Sequence, residues 1–183
     1  MSMNHTHKVV LALLLTAEKP LKEDQVELCL DREIDLAQII EETNLFLGKQ
    51  DMPIAIQKIA GGYKIVTREE YEPYIDRLFQ KNSKPSLSQA ALETLSIIAY
   101  TQPTTKSEVD SIRGVNTSMK TLLSKNLIEV KGRLDAPGKP LLYRTTDYFL
   151  EYFGLDSLDD LPKMKEIEEL LEEKEEAEEQ PQD

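Results

Sequence analysis

The side chains able to do chemistry are few, and their spacing suits little of it. His5 and His7 form an H-x-H pair of a metal-binding type, but they stand in a polar N-terminal stub expected to fray. Cys29 is the single cysteine, so no disulfide can close within the chain. Flanked by Leu28 and Leu30, it reads as a small buried hydrophobe rather than a reactive thiol. Gly61-Gly62 lies between two strand-like runs with no helix directly after it, so it suits a tight hairpin and not a phosphate cradle. No histidine is expected in the folded core, and no metal-ligand cluster or phosphate-binding loop is visible. We therefore assign no catalytic, metal or cofactor site and expect no cofactor. What remains is surface chemistry.

Two kinds of surface can be read. Lys120, Lys131, Arg133 and Lys139, with Lys125 and Arg144 nearby in sequence, suit weak contact with DNA phosphates. Asn116, Thr117 and Ser118 are the only evident candidates for reading base edges. Net charge is −12, but residues 1–83 carry −4, 84–155 carry +2 and 156–183 carry −10. The acidity belongs to the tail, and the second half of the folded part is faintly basic. Glu41 and Glu42, on the helix of the first half that would face DNA, oppose phosphate.

The elements that position these residues come twice in the same order: three helices, a two-stranded hairpin and a closing helix. Hydrophobic residues make up 40% of 183, enough for two small cores. In the first copy, residues 8–16 form a helix stopped by Pro20, and a second helix carries Val26, Leu28 and Leu30. Asp35 caps a third, with Leu36, Ile39, Ile40 and Leu47 on its apolar face and Gly48 as its stop. Strands at Ile54-Ala55-Ile56 and Tyr63-Lys64-Ile65-Val66 flank Gly61-Gly62. Thr67-Arg68-Glu69-Glu70 fits a capping box for a closing helix bearing Tyr71, Tyr74, Ile75, Leu78 and Phe79.

In the second copy, Ala91, Leu92, Leu95, Ile98 and Ala99 form a helical stripe. Thr105-Lys106-Ser107-Glu108 caps a short helix with Val109 and Ile112, and Gly114 turns the chain. Asn116 or Thr117 caps a third helix with Met119, Leu122 and Leu123, ended by Asn126 in the left-handed conformation. Strands at Leu127-Ile128-Glu129-Val130 and Leu141-Leu142-Tyr143-Arg144 enclose a wing shaped by Gly132, Pro137, Gly138 and Pro140. Thr146 caps a last helix with Phe149, Leu150 and Phe153, which Gly154 ends.

The fold expected is mainly α with small β-hairpins, an α+β chain of two tandem winged helix-turn-helix domains with an acidic, unstructured tail. The boundaries expected are 1–80, a linker at 81–86, 87–162, and the tail at 163–183. In the tail, Met164, Ile167, Leu170 and Leu171 make a narrow stripe, followed by an almost wholly acidic run. The tail is expected to be dispensable for folding and for partner binding. The apolar run at residues 9–15 has the length of a signal-peptide core, but Leu15 stands where a small residue should precede cleavage. The run also corresponds to the first helix of the second copy, and it is too short to span a membrane. A cytoplasmic protein is expected.

Ile112-Arg113-Gly114-Val115-Asn116, Leu127-Ile128-Glu129-Val130 and Asp135-Ala136-Pro137-Gly138-Lys139-Pro140-Leu141-Leu142-Tyr143-Arg144-Thr145-Thr146 carry a specific likeness. So do Leu87-Ser88-Gln89-Ala90-Ala91-Leu92-Glu93 before them and Leu155-Asp156-Ser157-Leu158-Asp159-Asp160-Leu161-Pro162 after them. Together they closely resemble the bacterial segregation and condensation protein B family, with a looser match through Ala60-Gly61-Gly62-Tyr63-Lys64. One stretch departs: residues 116–126 are short for the family pattern, which bears on the length and register of the third helix.

The resemblance implies a non-enzymatic subunit of the bacterial condensin-like complex. Its partners would be a second copy of itself, met mainly through the N-terminal domain, and the kleisin subunit, segregation and condensation protein A. Through the kleisin it would meet the structural-maintenance-of-chromosomes ATPase, at the nucleoid. The residues expected to hold the kleisin are Arg113, Leu142, Tyr148 and Tyr152. The competing expectation is a winged-helix transcriptional regulator that uses Lys120, Lys131, Arg133 and Lys139.

Overall fold

A computed structural model describes residues 3–79, 87–114 and 117–163. The linker and the acidic tail after Lys163 lie outside these residues, as does the tail's apolar stripe. Mixed α and β structure is present, with eight α-helices among the described residues and two small antiparallel sheets.

In the N-terminal half α1 (His5–Thr16), α2 (Glu23–Leu30) and α3 (Leu36–Lys49) precede β1 (Ile54–Ile59), β2 (Gly62–Thr67) and α4 (Glu72–Phe79). Val10, Leu14, Val26, Leu36, Ile40, Leu47 and Ile56 form its buried cluster. Asp35 caps α3 as expected, its carboxylate accepting from the Gln38 amide at 2.9 Å. Asn44 joins that helix to the sheet: its amide donates to the Ile56 carbonyl and its carbonyl accepts from the Ile56 amide, both at 2.8 Å. The side chain acts as a short extra strand against β1, a role that spacing alone did not reveal.

Several expectations for this half need correcting. The terminus does not fray: Asn4 caps α1, and His7 is buried, with Nδ1 2.6 Å from Asn4 Oδ1 and Nε2 2.9 Å from Glu42 Oε2. Cys29 is exposed, because α2 is short and turns only Val26 fully inward, leaving Leu28 and Cys29 facing water. Gly48 does not stop α3, which runs one residue further. The hairpin turns on Ala60 and Gly61, both at positive φ (51° and 71°), while Gly62 is already paired with Ile59. Gly62 is needed for another reason: a Cβ there would lie 3.0 Å from the Pro20 backbone, where Leu21 bridges to Tyr63. Thr67 ends β2 instead of capping a helix.

In the C-terminal half α5 (Gln89–Thr101), β3 (Thr104–Thr105), α6 (Lys106–Arg113) and α7 (Met119–Ser124) lead to β4 (Ile128–Arg133), β5 (Leu141–Thr145) and α8 (Asp147–Phe153). The sheet order is β3-β5-β4, and β3 is a two-residue strand that the sequence reading missed. Leu95, Ile98, Val109, Met119, Leu122, Leu127, Ile128, Tyr143 and Phe149 belong to the core here. The capping box at Thr105 and Glu108 is present, and its hydrogen bonds from Thr105 hold the Glu108 carboxyl below its usual range. Of the two apolar residues read on α6, Val109 is fully buried and Ile112 is 61% exposed. Gly132 sits at a bulge in β4, and Gly138 takes positive φ in the wing. Thr117 does not cap α7; its hydroxyl donates to Asp110, and that helix is only six residues long.

Candidate partner-binding surface

The closing helix of the C-terminal half is shaped by its caps. Thr146 accepts from the Phe149 amide at 3.1 Å, and Gly154 ends the helix at φ 70°. Between these ends Phe149 reaches the core, which turns Tyr148 and Tyr152 outward one helical turn apart. Their rings meet edge to face at 6.3 Å, and Tyr152 meets Phe153 at 5.1 Å. Both tyrosines remain nearly half exposed. Leu142 is half-buried on β5, where strand alternation sets it opposite the core-facing Tyr143. Arg113 ends α6 and is tied to α5 by a 3.0 Å bond from Nε to Glu93, so it also serves as a brace between those helices.

A larger feature went unseen in the sequence. Between α5 and α8 runs an apolar groove of about 670 Å³, with Tyr100, Ile112, Phe153, Leu155, Leu161 and Pro162 among its walls. None of Leu142, Tyr148 or Tyr152 lines it. The signal that could have found it was a surplus: α5, α6 and α8 together carry more large apolar groups than one small core can take.

The basic candidates fall on α7 and the β4–β5 hairpin, the last elements before α8. Lys120 lies on the six-residue α7. Arg133 is turned into its own wing, donating to the Lys139 carbonyl at 3.0 Å, while Lys131 and Lys139 stay on the wing surface. Arg144 pairs with Glu129 at 2.6 Å across the hairpin.

The two halves also touch. Leu155 and Asp156 meet the β1–β2 turn: the Ala60 amide donates to the Leu155 carbonyl and the Gly61 amide to Asp156 Oδ1, each at 2.9 Å. Lys58 pairs with Asp156, and Lys64 with Glu151, also at 2.9 Å. The Lys58 bond, joined by the Gly61 amide, holds the Asp156 carboxyl below its usual range. A carboxyl so lowered supports docking above its ordinary pKa and loses that support as pH falls through the lowered value. The Gly61 amide proton should therefore titrate in NMR with a midpoint below that of an ordinary aspartate, and Asp156→Ala should remove the titration. A midpoint at the ordinary value would mean that the contact is absent in solution.

The model for the segregation and condensation complex subunit ScpB matches residues 8–164. Segregation and condensation protein B of Symbiobacterium thermophilum is 44% identical over 162 residues, covering 86% of this chain and 73% of that protein. The chain belongs to the ScpB family. A crystal structure of ScpB from Mycobacterium tuberculosis is 31% identical, covers 85% of this chain and 99% of that one, and superposes with a TM-score of 0.40. A dimer of the ScpB N-terminal domain complexed with a ScpA peptide covers 39% of this chain and 91% of that one, at 23% identity and a TM-score of 0.36. The ScpB match takes in most of α1, all of α2 to α8, both hairpins and the exit segment to Pro162. No helix among the described residues is long and apolar enough to cross a membrane.

Proposed function

We propose that this chain is a non-catalytic scaffold of the bacterial condensin-like complex: a homodimer that holds the kleisin subunit ScpA. Through the kleisin it would act on the structural-maintenance-of-chromosomes ATPase in chromosome condensation and partition, in the cytoplasm at the nucleoid. Membership of the ScpB family supports this reading. So does the twice-repeated order of helices and hairpin, which we interpret as two winged-helix domains divided near residues 81–86.

The single observation that carries the kleisin site is the exposed Tyr148–Tyr152 pair on α8. Paired aromatics that stay in water are costly to a monomer and are the side chains on which protein interfaces concentrate their energy. The test compares Tyr152→Ala with the double change Lys131→Glu and Arg133→Glu. Tyr152 is 48% exposed, so its replacement should leave the fold intact. Affinity for ScpA should fall by about 2 kcal/mol, roughly thirtyfold. The charge reversal should leave that affinity nearly unchanged. If the aromatic variant binds ScpA normally while the charge-reversed one releases a specific duplex in a salt-dependent way, the regulator replaces the scaffold.

A further inference from the structure

We propose that the β1–β2 turn is a clasp that closes the N-terminal half onto α8, and that its closure is coupled to binding of the partner α8 holds.

The turn is shaped for capture. Ala60 stands at positive φ, a conformation unfavourable for a residue with a Cβ, and at the tip of a hairpin it is only 8% exposed. Its amide and that of Gly61, one after the other, are both spent on the other half, at the Leu155 carbonyl and Asp156 Oδ1. The receiving side is fixed in advance. The Asp160 carboxylate accepts from the Asp156 and Ser157 amides at 2.8 and 2.9 Å, which sets the turn that follows α8. The Lys58–Asp156 and Lys64–Glu151 pairs then flank the two amide bonds.

A clasp of this kind opens readily. Its contacts are polar, surface ion pairs are individually weak, and the two buried apolar clusters share no residue. Coupling follows from what lies beside it. Between the halves is a polar cleft of about 600 Å³, with Lys19, Pro20 and Lys22 on one wall and Arg144, Tyr148 and Glu151 on the other. A segment that engages Tyr148 meets both halves when the clasp is closed and the C-terminal half alone when it is open. It therefore binds the closed form more tightly, and by linkage its binding favours closure. This coupling rests on the reading that α8 holds ScpA.

Pulsed electron resonance on the full chain tests it, with nitroxides on the exposed Cys29 of α2 and on Lys131→Cys of the wing. Labelled protein is diluted into an excess of unlabelled protein, so that only distances within one chain are read. The parent should give one narrow distance distribution. Lys64→Glu, which sets a carboxylate against Glu151, should broaden it toward longer distances and weaken ScpA binding roughly tenfold. Adding Glu151→Lys to that variant should restore both the narrow distribution and most of the affinity. Saturating ScpA should narrow the distribution of Lys64→Glu alone. A parent that is broad with and without ScpA would overturn the clasp, and an open variant that binds ScpA like the parent would overturn the coupling. A closed charge-swapped variant that still binds weakly would overturn it too, since the altered side chains would then meet ScpA directly. A parent that does not bind ScpA at all removes the scaffold reading along with the coupling, whatever its distances.

Discussion

Replacing Ile98 by alanine should destabilise the chain by about 2–5 kcal/mol, whereas Leu28→Ala should change stability by no more than about 0.5 kcal/mol. Both are large apolar residues on helices, and the sequence treats them alike. Ile98 is fully buried on α5, amid a cluster built from α5, α6, α7, β4, β5 and α8, so truncation leaves a cavity that several elements share. Leu28 is 84% exposed on α2, so its removal takes away little packing. Urea denaturation of the three proteins checks the difference through the midpoint at constant slope. Near-equal midpoints for Ile98→Ala and the parent would mean that α5 is not the spine of the C-terminal core. That would also undermine the groove, since α5 is one of its two long walls.

The contrast between those leucine and isoleucine positions shows what could be read in advance. The stripe of Ala91, Leu95, Ile98 and Ala99 was legible because α5 is long enough for a helical period to declare itself. Caps were legible where a side chain does the capping, as at Asp35, Thr105 and Thr146. Short helices were not: eight residues of α2 or α6 fit more than one apolar face, and tertiary contacts choose which faces inward. Hence Cys29 was expected to be buried and is exposed. His7 erred in the other direction. A polar residue near a terminus looks solvated until Asn4 caps its helix and Glu42, thirty-five positions along, supplies a partner. The tyrosines at 148 and 152 were chosen as aromatics near the wing and closing helix, whereas the groove could not be read, because its walls come from four separate segments.

The largest effect is expected at α4. Changing Tyr74 and Leu78 together to glutamate should convert a dimer at micromolar concentration into a monomer, weakening association on the order of a hundredfold or more. The closing helix of the N-terminal half carries the apolar residues expected of it, and none of them is buried. Tyr74 is 68% exposed, Leu78 71% and Phe79 58%, and with Tyr71 and Ile75 they follow the spacing of a single helical face. Leu15 on α1 is also exposed, at the end of an apolar run too rich for the core beneath it. A face of this kind, on the half through which we propose the dimer forms, is what a second copy would cover. Because α4 contributes nothing to the buried cluster, the two glutamates should leave the circular dichroism spectrum and the melting of the N-terminal core largely as they were. Sedimentation equilibrium on the full chain separates the outcomes. A folded double variant that stays dimeric moves the interface elsewhere, with Leu15→Glu as the next change to make. A parent protein that sediments as a monomer at tens of micromolar, an order-of-magnitude choice for an obligate contact, removes the homodimer from the proposed function.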